Sequence, residues 1–157
     1  MSATTSTFNP EQFLQTTIEA AGDTRYFPVP IGSDYKGQIK KIDLRQFETD
    51  KNPGVKYTVV EIIWHILGEE AKKATEQEEP LARQSIFLDL LPNGALDFGK
   101  NKNVQLSRLR DALGQNKAGK KWAFNHLVGG QASVQVAHDV NKDTGEPRAV
   151  VKAVAKY

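Results

Sequence analysis

The 157-residue chain contains no cysteine. That absence removes disulfide staples, thiolate zinc sites, iron–sulfur clusters and cysteine nucleophiles together, and it fits a reducing compartment. Long apolar runs are missing too. The longest, Val59 to Leu67, is interrupted by Glu61 and His65, whereas a membrane-spanning helix needs about 20 apolar residues. The opening MSATTSTFNPEQF has neither a basic stretch nor an apolar one, so no export signal is expected. An excess of one charge is also lacking. Lys and Arg number 21 against 19 Asp and Glu, a net charge of +2. A histone-like polycation and an acidic tail protein are therefore both excluded. With 39% apolar and 25% charged residues the composition is that of a globular chain, about one domain long.

The near-neutral total hides a partition. Residues 1–34 carry −3, residues 35–80 carry −1 and residues 81–157 carry +6. The excess is concentrated between Gly99 and Trp122, where Lys100, Lys102, Arg108, Arg110, Lys117, Lys120 and Lys121 face only Asp111. A basic segment on a balanced protein is a candidate phosphate-contacting patch, and equally a solvated helix face with a lysine-rich loop.

Asn9-Pro10-Glu11-Gln12 has the chemistry of a helix start, and the pattern predicts a short helix through Ile18, stopped by Gly22. Residues 23–34 read as an extended connection. From Tyr35 the period becomes two. Residues 35–48 predict a first strand whose phase slips at Lys40-Lys41, the mark of a bulge. Asn52-Pro53-Gly54 reads as a turn. Residues 55–67 predict a second strand with Thr58, Val60, Ile62, Trp64 and Ile66 inward, and Tyr57, Val59, Glu61, Ile63 and His65 outward. Residues 68–80 form a polar, acidic connection with room for one helical turn. Residues 82–91 predict a third strand with Arg83, Ser85, Phe87 and Asp89 outward, followed by a turn at Pro92-Asn93-Gly94 and a return strand at Leu96 to Phe98. Asn103 reads as the cap of a helix over 104–113 whose buried stripe is Leu106, Leu109 and Leu113, ended by Gly114. Strands over 131–138 and 147–155 close the chain as a hairpin. Three strands, a helix and two strands, taken as antiparallel, predict a mainly β five-stranded OB-fold barrel with a helix between strands 3 and 4 and a short N-terminal helix. Residues 1–30 would be an arm and 31–157 the domain.

Catalytic signatures are sparse. GQNKAGKK at 114–121 approaches a phosphate-binding loop, but Lys121 stands in place of the hydroxyl and the segment follows a helix. His65, His126 and His138 have no metal-ligand spacing. No G-x-S-x-G elbow is present. Asp89 and Asp97 flank a turn, where Asp is ordinary. Neither an enzyme nor a cofactor or metal is expected.

The stretch IFLDLLPNGALDFGKNKNVQLSRLRDALGQNKAGKKW, with FNPEQFL and the PVPIGSDY lead into the first strand, resembles the single-stranded DNA-binding proteins of tailed bacteriophages. The resemblance covers most of the chain. It implies an OB-fold that coats single strands during phage replication or recombination in the cytoplasm of the infected host. Phage replication or recombination proteins are possible partners, and an oligomer is allowed. AVAKY, at the end of the sequence, lacks the acidic run through which many such proteins recruit partners.

A sequence-tolerant binder needs cations along the phosphates and aromatic faces for the bases. The candidates are Lys40, Lys41 and Arg45 on the first strand, Tyr57 and His65 on the second, Arg83 and Phe87 on the third, Lys100 and Lys102 before the helix, and Lys117, Lys120, Lys121 and Trp122 after it. Tyr57, Phe87 and Trp122 each have a packing alternative to stacking. Trp64, Phe98 and Phe124 are assigned to the core. The competing reading is an OB-like protein-interaction module that does not touch nucleic acid.

Overall fold

The computed structural model of the chain describes residues 7–157. Five strands dominate it: β1 (Gly32–Thr49), β2 (Asn52–Ile66), β3 (Leu81–Leu88), β4 (Gln131–Val140) and β5 (Pro147–Ala155). Three α-helices accompany them: α1 (Pro10–Leu14), α2 (Glu69–Thr75) and α3 (Val104–Ala112). No described helix is long and apolar enough to cross a membrane.

The strands pair in the order β1-β2-β3-β5-β4, and β4 returns to β1, so the sheet closes on itself. β1 makes this possible by serving two partners. Its first part, Gly32 to Gln38, pairs with β4, and Gly37 onward pairs with β2. The register slips between Ile39 and Lys41, leaving Lys40 as the extra residue. The bulge expected there from the phase change is present, and it bends the strand from one partner to the other. The all-antiparallel expectation is corrected: β3 and β5 run parallel, joined at Arg83 and Val150. Strand periodicity carries no information about relative direction, which the crossover through α3 and β4 decides.

Trp64, Ile62, Ile66, Ile86, Val134 and Val136 fill the interior, all buried. The Trp64 indole N–H donates to Gln84 Oε1 at 2.9 Å, so its one polar atom is satisfied. Leu106 and Leu109 of α3 are fully buried in the same core, and α3 lies against β5 and β3. Val29 also belongs to this core. His138 Nε2 lies 2.7 Å from the Val29 carbonyl, and the Tyr35 hydroxyl donates to the Pro30 carbonyl at 2.9 Å. These contacts pin the connection into β1.

Other local expectations are corrected. α1 ends at Leu14 instead of Ile18, although Asn9 Oδ1 accepts from the Glu11 and Gln12 N–H groups as a cap should. Phe13, Leu14 and Ile18 are exposed, and without tertiary packing so short a helix does not propagate. The β1–β2 turn is Asp50-Lys51, with Thr49 facing Asn52. The acidic connection holds two turns of helix. The return strand shrinks to one bridge, Leu90 to Leu96, and Phe98 is exposed, not core. Phe124 is half-buried against the core.

Gly37 stands where β1 meets both neighbours, opposite Ile66 and Ala132. A Cβ there would lie 2.9 Å from Trp64 Cε3 and 3.2 Å from both Val134 methyls. Trp64 is fully buried and cannot swing away. Gly37→Ala is therefore expected to destabilise the fold by about 1–3 kcal/mol, the usual cost of overpacking. Gly22→Ala, with open space around it, is the control. Urea denaturation of the two variants checks this, and equal midpoints would refute the steric argument.

Candidate nucleic-acid interface

Side chains alternate across a strand, so the residues opposite the core form one outer face. The register of β1, β2 and β3 fixes its rows. Phe47 faces Tyr57; Arg45, Val59 and Phe87 are aligned; then come Asp43, Glu61 and Ser85; then Lys41, Ile63 and Arg83; His65 faces Leu81. The sequence therefore sorts this face into an aromatic end and a cationic end.

At the aromatic end three rings meet. Phe47 and Tyr57 are stacked with centroids 5.6 Å apart. Phe87 meets both edge-on, at 6.1 and 6.3 Å. The Arg45 guanidinium lies over Phe47, 5.2 Å from its centroid. Asn52 Nδ2 donates to the Tyr57 hydroxyl at 2.9 Å, fixing that ring. Val59 points outward yet is 1% exposed, and it is not part of the interior core cluster. It sits in register between Arg45 and Phe87 and supports a small apolar platform. Phe87 remains 55% exposed, so a ring face is open to solvent.

At the cationic end a cleft of about 520 Å³ runs over Ile63, Leu81 and Ala149. Lys40, Lys41, Arg83 and Arg148 line it, with Tyr26 and the β4–β5 hairpin residues Asn141 and Glu146 at its rim. A second hollow of about 360 Å³ holds Arg45, Glu61, Arg83, Asp139 and Arg148. Arg83 and Arg148 line both, so the two hollows adjoin, and Arg45, whose guanidinium lies over Phe47, lines the second.

The groove cations are largely paired with carboxylates. Arg45 Nη2 lies 2.7 Å from Glu61 Oε1, and Arg83 Nη1 lies 3.8 Å from Glu61 Oε2. Arg148 Nε donates to Asp139 Oδ1 at 2.6 Å, which raises the guanidinium pKa further. Lys40 Nζ donates to Glu79 Oε2 at 2.8 Å, and that hydrogen bond holds the Glu79 carboxyl below its ordinary range. Lys41 alone of these cations forms no ion pair among the described residues. Glu79 comes from the acidic connection, which thus reaches the groove at its Lys40 end.

The remaining candidates are distributed differently. His65 is half-buried, with Nδ1 4.0 Å from Glu79 and Nε2 buried without a partner among the described residues. It is a wall of the face and not an open ring. Lys100 and Lys102 are exposed in the turn before α3. Asn103 holds that turn to Asp89, two residues beyond Phe87. Lys117, Lys120, Lys121 and Trp122 line a separate pocket of about 370 Å³ with Gln115 and His126, sharing no residue with the groove. Trp122 is occupied structurally. Its indole N–H donates to Gln115 Oε1 at 2.8 Å, Arg110 covers one ring face at 4.4 Å, and Phe124 packs edge-on at 5.0 Å. Of its two alternatives, anchoring the loop is the one this geometry favours.

Phe47, Arg148 and Tyr26 were not among the candidates. Phe47 shares parity with Arg45 in the sequence and could have been found from that. Arg148 reaches the groove through the parallel pairing of β5 with β3, which has no local signal. No protein-family model and no curated protein matches this chain.

Proposed function

We propose that this chain is an OB-fold protein that binds single-stranded DNA without catalysis and with little sequence preference. The strand order β1-β2-β3-β5-β4, with α3 between β3 and β4, supports the OB-fold reading. The observation that carries the functional reading is the placement of a ring platform and of adjoining cationic hollows on one outer face. Phosphates would follow Lys41, Arg83 and Arg148, while bases stack at Phe87 and its neighbours. Every base has a π-face, so such a surface is sequence-tolerant. A duplex keeps its bases stacked inside and offers no free base face to the ring platform.

DNA as the natural strand, a role in phage replication or recombination and the cytoplasm of an infected bacterium as its place are supported by the sequence resemblance. The Lys117–Lys121 loop supplies longer-range attraction for the same polyanion.

Titrating labelled oligo-dT, an RNA of equal length and duplex DNA at two salt concentrations, read by fluorescence anisotropy, tests the proposal. Tight, salt-dependent binding of oligo-dT with weak binding of duplex is the expected result. Equal, weak binding of all three would favour the protein-interaction module and overturn this reading.

A further inference from the structure

The cleft over Ile63, Leu81 and Ala149 is poorly suited to phosphates alone. Of the four cations that line it, Lys40, Arg83 and Arg148 already have carboxylate partners, and only Lys41 has none among the described residues. Its floor is apolar, and a phosphate cannot favourably cover such a surface. A flat apolar body carrying a single anion would use both the floor and the free lysine. Tyr26 stands at the rim, 45% exposed, and among the described residues no other ring and no cation lies over it. It thus differs from Trp122, whose face Arg110 covers. Its place is fixed from nearby in the chain: Val29 is buried, and the Val29 carbonyl lies 2.7 Å from His138 Nε2. An open ring beside an apolar floor is what a base needs for stacking.

We infer that this cleft is a second base-binding subsite, in which one nucleotide of the strand lays its base against Tyr26 over the Ile63 and Leu81 floor and its phosphate on Lys41; the inference rests on the function proposed above. The subsite is separate from the three-ring platform. Leu81 and Phe87 lie at opposite ends of β3, about 20 Å apart at the usual rise of a strand. One base cannot reach both, so a bound strand is gripped by its bases at two points of the same face, with the paired cations between them.

Tyr26→Ala and Tyr26→Phe test this, with oligo-dT and a fully abasic strand of equal length as probes at low salt, read by fluorescence anisotropy. Tyr26→Ala should weaken oligo-dT binding about tenfold, as expected for the loss of one stacked base. It should leave the abasic strand unchanged, because that strand has phosphates but no base for the ring. Tyr26→Phe keeps the ring and should bind oligo-dT like the native protein. The losses from Tyr26→Ala and Phe87→Ala should multiply in the double variant, since the two rings hold different bases. Native affinity of Tyr26→Ala for oligo-dT overturns the inference and leaves the function standing. So does an equal loss for both probes, which would mean that Tyr26 only props the connection beside the cations. Tyr26→Phe binding as weakly as Tyr26→Ala, or a double variant no weaker than Phe87→Ala, overturns it too. A native protein that binds the abasic strand as tightly as oligo-dT overturns the proposed function itself, and the inference with it.

Discussion

Replacing Phe87 by alanine is expected to weaken single-strand binding by roughly 5- to 150-fold, the equivalent of the 1–3 kcal/mol that stacking contributes per base. Phe87 is the most exposed ring of the platform, on β3 at the aromatic end of the outer face. Phe47 and Tyr57 are half-buried against each other, and Phe87 braces both edge-on. Removing it deletes one stacking face and loosens two. The fold should tolerate the change, since Phe87 is not part of the interior core. Phe87→Leu separates the two roles, keeping apolar cover over Val59 while losing the ring. Its stability should stay close to native and its affinity should fall with that of the alanine variant. Phe87→Trp should bind at least as tightly as the native protein. Equilibrium titrations with oligo-dT, alongside thermal melts, decide it. A leucine variant that binds like the native chain would mean that the ring packs and does not stack.

The strands and α3 were legible because their signals are local. Alternation from Tyr35 onward located the outer face, the phase slip at Lys40-Lys41 located the bulge, and the Leu106–Leu109 spacing located the buried side of α3. Tyr57, Arg83 and Phe87 follow from parity and Lys41 and Arg45 from their place at the first-strand bulge, and the structure gathers all five on one face. What parity cannot supply is which strands lie side by side. Arg148 lines the groove only because β5 pairs with β3 after an excursion through α3 and β4. The carboxylates were hidden for a related reason. Glu79 reaches Lys40 across 39 positions, and Glu61 reaches Arg45 and Arg83 on different neighbouring strands. Charge summed along the chain put the weight on residues 99–122. Charge summed over the surface moves part of it to the groove and leaves the post-helix lysines in a pocket of their own. Trp122 illustrates the limit for aromatics: a Trp after two lysines looks like a stacking ring until Arg110 and Gln115 are seen holding it.

The largest stability loss is expected from a residue whose role the sequence mistook. Asn103 stands where a helix cap belongs, yet its side chain makes no capping bond to α3. It is 2% exposed and knots the turn to the end of β3 instead. Its Nδ2 donates to the carbonyls of Asp89 at 2.8 Å and Asp97 at 2.7 Å, and its Oδ1 accepts from the Asp89 N–H at 2.8 Å. Its own N–H donates to Asp89 Oδ2 at 2.8 Å. The backbone is left-handed, φ 51° and ψ 37°, which Asn adopts far more readily than alanine. Asn103→Ala deletes three side-chain hydrogen bonds at about 1 kcal/mol each, strands their part-buried partners and adds about 1 kcal/mol of backbone strain. The expected loss is about 4 kcal/mol, a fall in Tm on the order of 10 °C for a chain this long. Asn103→Gly removes the same bonds but fits the left-handed backbone, so it should recover about 1 kcal/mol. Asn103→Asp faces two carbonyls with a carboxylate and should do no better than alanine. If Asn103→Ala melts within a degree or two of the native protein, the knot carries no weight. If it melts as expected, the turn bearing Lys100 and Lys102 owes its position beside the outer face to one buried amide.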